Sequence, residues 1–139
     1  MKPKRSLTVG LIVSMLAVMG LFTAPAVGQA STEAAYPVTP FHLEYGASVL
    51  TGSITWYNRS VDVSGSIKAR STGKQARFRA ESASCYSSLE TRTASVDTTT
   101  PFGFNMPCDV PGGYTHVYVA MWDVNGTFLR GVTCTRQGC

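Results

Sequence analysis

The 139-residue chain has only two histidines, His42 and His116, and 14% charged residues, and it contains no CxxC pair. Each shortage removes a class of function. The paired-cysteine signature of a structural zinc site is missing. No nucleophile-elbow, HExxH, P-loop or calcium-loop pattern occurs, so no motif that carries chemistry can be read from the sequence. No helical periodicity appears beyond residue 30. Charge of one sign is also scarce. Three of the 12 basic residues (Lys2, Lys4 and Arg5) lie at the N-terminus, which leaves 9 against 8 acidic residues in the remainder. A nearly neutral chain offers no electrostatic footprint for nucleic acid or an anionic membrane. No catalytic residue, cofactor or metal is expected, and the chain reads as non-enzymatic.

What is present begins with a targeting segment. A cationic start precedes an apolar run from Leu7 to Phe22, and small residues close it at Gly28-Gln29-Ala30. This is the three-part layout of a secretory signal peptide over residues 1–30. Cleavage before Ser31 is preferred, with cleavage after Ala26 second. The apolar run is short for a bilayer span, which takes about 20 residues, so no stable membrane anchor is expected. Export places the four cysteines, Cys85, Cys108, Cys134 and Cys139, in an oxidising compartment. Four cysteines in that setting read as two disulfides, with three possible pairings.

Residues 31–50 are predicted to be an extended segment. Pro37 and Pro40 disfavour helix, and Phe41, Leu43 and Tyr45 then alternate with His42, Glu44 and Gly46. Two readings stand side by side. In one, these residues form the first strand of the domain; in the other, they add a strand to a partner's sheet edge.

Residues 51–139 form the disulfide-bonded domain. Short alternating runs between turn residues predict an all-β, two-sheet antiparallel β-sandwich of about seven strands. Val61, Val63 and Ile67 share one side of a strand, and Gly65 interrupts them as a bulge or a close backbone approach. Ser71 to Lys74 supply a turn, and Asp123-Val124-Asn125-Gly126 makes a hairpin connection. With strands running up and down in order, all four cysteines fall at one end. That arrangement favours Cys85–Cys108 with Cys134–Cys139.

Three surfaces compete as contact sites. Tyr114, His116, Tyr118 and Trp122 are spaced along one face of a single apolar strand, and aromatic side chains are enriched at interfaces; a strand covered on both sides would carry the same pattern. Phe41, Leu43 and Tyr45 are the second set. Lys68, Arg77, Arg79 and Arg92 form a basic patch or, more simply, a solvated face mixed with Asp62, Glu81 and Glu90.

The run Gly52 to Ile67 (GSITWYNRSVDVSGSI), the Gly103-Phe104 strand and the closing Val132-Thr133-Cys134 resemble segments of small secreted actinobacterial β-sandwich proteins. Among these, the chain is similar to the adaptor subunit of Streptomyces umbrella toxin particles. The resemblance spans about residues 52–134 and implies a secreted protein–protein adaptor. Its partners would be a lectin-like subunit and a large repeat-containing toxin subunit of an antibacterial particle. Two rival functions follow from the residues alone. A secreted protease inhibitor would present Asp97 to Gly113 as a rigid loop around Met106-Pro107-Cys108-Asp109. A carbohydrate-binding module would stack sugars on Tyr114, Tyr118 and Trp122.

Overall fold

The computed structural model describes residues 35–139. The signal-peptide reading of residues 1–30 lies outside them, as does the start of the extended segment. Eight strands and no helix make up the described chain: β1 Val38–Tyr45, β2 Ser48–Trp56, β3 Ser60–Lys68, β4 Lys74–Glu81, β5 Glu90–Ala94, β6 Thr99–Pro107, β7 His116–Asp123 and β8 Phe128–Cys134. They form two four-stranded antiparallel sheets, ordered β1-β2-β3-β6 and β5-β4-β7-β8.

The count exceeds the expected seven by one because β1 belongs to the sandwich. It pairs with β2 along its whole length, from Val38 opposite Thr55 to Tyr45 opposite Ser48. Gly46, at φ 61°, opens the two-residue turn between them, a conformation that glycine adopts without strain. The expected boundary at residue 50 therefore falls inside β2. Phe41 and Leu43 are 3% and 9% exposed. Strand donation would have to tear both out of this chain's own core.

Neighbour order departs from the up-and-down path. The chain crosses between sheets after β3, β5 and β6, so β6 lies beside β3 and β7 beside β4. The cysteines still gather at one end, because strand direction alternates throughout whichever sheet a strand joins. The disulfides are Cys85–Cys108 and Cys134–Cys139. The first ties the loop after β4 to the end of β6, and so joins the two sheets. At the same end, the Trp56 indole N–H donates to Thr39 Oγ1 (2.9 Å), whose hydroxyl donates to the Thr135 carbonyl (2.6 Å).

The core lies between the inner faces, where period-two alternation places Leu50, Ile54, Trp56, Val61, Val63, Ile67, Phe78, Val117, Val119 and Met121. Gly52 and Gly65 face each other across β2 and β3 on this inner side. A Cβ on Gly65 would stand 2.1 Å from the Thr51 carbonyl oxygen, and one on Gly52 would meet the Phe41 ring at 2.8 Å. Close approach, rather than a bulge, is what Gly65 provides. Phe78 from the opposite sheet packs against Phe41, Phe102 and Phe104, with ring centroids 5.1 to 6.0 Å apart.

At the far end, Lys74 is buried. Its ammonium donates to the carbonyls of Arg70 (3.0 Å) and Thr72 (2.8 Å) and to Thr72 Oγ1 (2.8 Å), with Asp123 3.8 Å away. A buried cation persists only with such a set of acceptors. The predicted turn at Ser71–Lys74 is thus the crossing between sheets, closed over a lysine.

Candidate functional site

The outer face of the second sheet carries large side chains in a connected group. Alternation along β4 turns Gln75, Arg77, Arg79 and Glu81 outward. Along β7 it turns out His116, Tyr118, Ala120 and Trp122. The strand register sets Arg79 beside Tyr118, Arg77 beside Ala120 and Gln75 beside Trp122. On β8, Gly131 lies opposite Ala120.

A bulge completes the face. Met121 pairs with Arg130, but Trp122 pairs with Phe128, so Leu129 is the extra residue on β8. Leu129 packs against the core, while Phe128 is brought across from Trp122 with ring centroids 5.6 Å apart and planes at 77°. Bulges re-aim side chains in this way. The Phe128 ring leans back over Gly131, where a Cβ would meet it at 3.1 Å. Ala120 forms a low floor, and Trp122, Phe128, Tyr118, Leu89, Arg77 and Arg79 rise around it. They enclose an open hollow of about 470 Å³. Tyr118 and Phe128 are each 51% exposed.

Both arginines are held in place by stacking. The Arg77 guanidinium lies 4.2 Å from the centroid of Trp122, and its Nε and Nη2 donate to Gln75 Oε1. The Arg79 guanidinium lies over Tyr86 at 5.2 Å and donates from Nη1 to the Tyr86 hydroxyl (2.9 Å). Arg79 Nε is buried and has no hydrogen-bond partner. A buried donor left unsatisfied costs free energy, on the order of 1–3 kcal/mol.

His116 pairs in register with Glu81, and its Nε2 stands 3.2 Å from Glu81 Oε1. Thr115 Oγ1 is 3.1 Å from His116 Nδ1 and 3.1 Å from the Glu81 carbonyl. These are the residue types of a hydrolytic relay, arranged differently. The hydroxyl proton is taken by the carbonyl, so the trio clamps two strand ends. On β1, His42 and Glu44 pair at 2.6 Å on an exposed surface. That hydrogen bond first, and the charge of His42 second, hold the Glu44 carboxyl below its ordinary range.

The aromatic row predicted from the sequence therefore loses one member. His116, Tyr118 and Trp122 share the outer face, but Tyr114 precedes β7 and turns into the core. It is 1% exposed and donates its hydroxyl proton to the Pro107 carbonyl (2.6 Å). Burial pushes its phenol above the ordinary value, with a smaller contribution from Asp109. Of the second candidate set, Phe41 and Leu43 are core residues, while Tyr45 stays exposed at the end of edge strand β1.

The basic patch also divides. Arg77 and Arg79 join the aromatic face, whereas Lys68 belongs to the first sheet. Arg92 covers the Phe104 ring at 4.4 Å, at the edge between the sheets, and pairs with Glu90. Met106 is 2% exposed, Thr99 to Pro107 is β6 paired to β3, and only 108–113 of the predicted inhibitory loop runs outside a strand on its C-terminal side. Tyr86, Leu89 and Phe128 were not anticipated. Phe128 reaches the face through the bulge, Leu89 by continuing the outward alternation of β5, and Tyr86 from the disulfide loop.

Among the described residues no helix is long and apolar enough to cross a membrane. No protein-family model, curated protein or solved structure matches the chain.

Proposed function

We propose that the protein is an exported, non-enzymatic connector that holds a partner protein on the outer face of its second sheet. The observation that carries this reading is the clustering of Trp122, Tyr118, Phe128 and Leu89 around two stacked arginines on a surface the fold does not require to be apolar. Tryptophan, tyrosine and arginine dominate the energetics of protein interfaces. The stacked geometry lowers the entropy lost when a partner docks. The two disulfides fit an oxidising compartment, and the signal-like residues 1–30 supply a route to it. The resemblance of residues 52–134 to adaptor subunits supports the same reading, with lectin-like and repeat-containing toxin subunits as partners.

The test is affinity purification of the tagged, mature protein from culture supernatant, in parallel with a Tyr118→Ala/Trp122→Ala variant. The parent chain should recover larger secreted proteins in stoichiometric amount. Loss of the two rings should weaken that recovery by about 30-fold or more, the size of a hot-spot truncation, with the circular dichroism spectrum unchanged. Recovery of the parent chain alone would remove the stable-connector reading.

A glycan-binding reading keeps one supporting observation, the half-exposed Tyr118 ring. Trp122 serves it less well, because Arg77 occupies one face of the indole and Phe128 abuts it. Retention on a polysaccharide column that falls in Tyr118→Ala would favour glycan over protein.

A further inference from the structure

We infer that the hollow on the second sheet recognises an acidic segment of its protein partner, with one carboxylate over Arg77, another over Arg79, and an apolar side chain of the partner seated beside them above Ala120. This rests on the connector reading and specifies the chemistry of the surface that binds.

Charge accounting around the hollow motivates it. The ion pairs among the described residues are His42–Glu44, Lys74–Asp123, Arg92–Glu90 and His116–Glu81. Neither Arg77 nor Arg79 takes part in one. The acidic side chains closest in the sheet are committed elsewhere: Glu81 to His116, Glu90 to Arg92, and Asp123 to Thr72 and Lys74. Both guanidiniums bond only to neutral oxygens, the Gln75 amide and the Tyr86 hydroxyl. Arg79 Nε is buried and without any acceptor, which leaves the guanidinium charge under-compensated, so a carboxylate would meet Arg79 at its Nη end. Arginine presents a planar fork matched to carboxylate, and stacking on Trp122 and Tyr86 fixes the orientation of each fork.

Spacing narrows the ligand. Arg77 and Arg79 are two residues apart on one strand, so their attachment points lie about 7 Å apart. Acidic side chains at alternate positions of an extended segment repeat at that same interval. The side chain between them would point away, so the apolar group above Ala120 comes from a neighbouring strand of the partner or from the next turn of its chain. Glu81 lies two positions beyond Arg79 and lines the hollow. It therefore sets a direction: the acidic pair is accommodated over 77 and 79, and a third acidic residue continuing over 81 is repelled. An acidic polysaccharide would supply carboxylates too. Yet the covered Trp122 leaves it a poorer stacking surface, and protein is the occupant the geometry favours.

The experiment titrates isotope-labelled mature protein with a synthetic extended peptide containing Glu-Leu-Glu-Leu, and reads the arginine Nε–H and Trp122 indole N–H signals by NMR. The matched Gln-Leu-Gln-Leu peptide and an oligogalacturonate are run beside it. The glutamate peptide should shift the Arg77, Arg79 and Trp122 side-chain signals, with affinity falling as salt is added. Arg79→Gln and Arg77→Gln should each weaken binding by about tenfold or more, as expected for a charge-assisted hydrogen-bond pair. Arg59→Gln, at the disulfide-linked end, should leave binding unchanged.

Equal binding of the glutamine peptide, or undiminished binding in Arg79→Gln with the parent amide spectrum retained, would overturn the inference. So would a response to oligogalacturonate alone. The two levels separate cleanly. If the Tyr118→Ala/Trp122→Ala variant loses its partner while Arg77→Gln/Arg79→Gln keeps it, the connector reading stands and the acidic-ligand inference falls.

Discussion

The two sheets share one core yet turn opposite kinds of surface to the outside. The outer face of the first sheet is mostly small and polar, with Thr51, Ser53, Thr55, Asp62, Ser64, Ser66 and Asn105 set among Val38, Pro40, Val49 and Pro101, and with the Asn105 amide donating to Asp62 at 2.7 Å. The outer face of the second carries Arg77, Arg79, Tyr118, Trp122 and Phe128. Both faces satisfy the same backbone requirement. Small hydroxyl residues, threonine above all, suit an exposed strand and leave no large apolar area in water. The first sheet shows what this fold needs on a solvated face. The aromatic and cationic load of the second exceeds that need, and this surplus is what the proposed connector role rests on.

The largest expected effect breaks the core both faces depend on. Phe78 joins the sheets by packing between Phe41, Phe102 and Phe104. Phe78→Ala should cost about 3–5 kcal/mol in urea unfolding. A loss under about 1 kcal/mol would mean the sheets are held together elsewhere. Next in size is the covalent link between them. Cys85→Ser/Cys108→Ser opens a loop with a sequence separation of 23 and should cost about 3 kcal/mol in the chain-entropy model. Because both changes act on the shared interior, each should lower stability without changing which face binds.

These interior features were largely readable from the sequence, and the reason is physical. Alternation fixes which side chains face inward, so the sequence pattern puts Val61, Val63 and Ile67 on the correct side. The gathering of the cysteines depended only on strand direction, which reverses at every connection, and their pairing on nearness along the chain, so both survived a wrong neighbour order. That order was not readable, because a period of two gives each strand a face but no partner. Tyr114 was misplaced because alternation was extended past the start of β7, where the chain is still a loop. Phe128 was missed because the bulge at Leu129 shifts the register by one residue, which strict alternation cannot foresee. Lys74 read as a turn residue, since nothing local shows that three oxygens converge on its ammonium.

The difference between the faces can be sharpened by exchanging their character. Tyr118→Ser on the second sheet and Ser64→Tyr on the first are both outward substitutions. Each should shift stability by no more than about 1 kcal/mol, as measured by thermal melting. Only Tyr118→Ser should lower partner recovery. If Ser64→Tyr lowers it equally, binding is not confined to the second sheet, and the contrast between the faces loses its functional meaning.

The smallest expected effect concerns acid, where each sheet carries one carboxylate held below its ordinary range. Glu44 on the first owes this to His42, and Asp123 on the second owes it first to the Thr72 hydroxyl at 2.7 Å, with burial opposing and backbone N–H groups and Lys74 adding. A carboxyl that is easier to ionise in the folded chain stabilises it above the unfolded value. That contribution is lost as pH falls through the folded one. Both should therefore act on the acid limb, below about pH 4, and neither at neutrality. They should differ in their response to salt. A hydrogen bond leads at Glu44 as well, but the charge of His42 ranks next there, and in so exposed a pair salt screens that part. Asp123 is fixed mainly by hydrogen bonds that salt leaves in place. In melting curves taken from neutral to acid pH, Asp123→Asn should flatten the acid limb at low and high salt alike. Glu44→Gln should flatten it more at low salt than at high salt. Equal salt sensitivity in the two variants would mean that Lys74, rather than Thr72, sets the ionisation of Asp123, and that the end of the second sheet is held chiefly by charge.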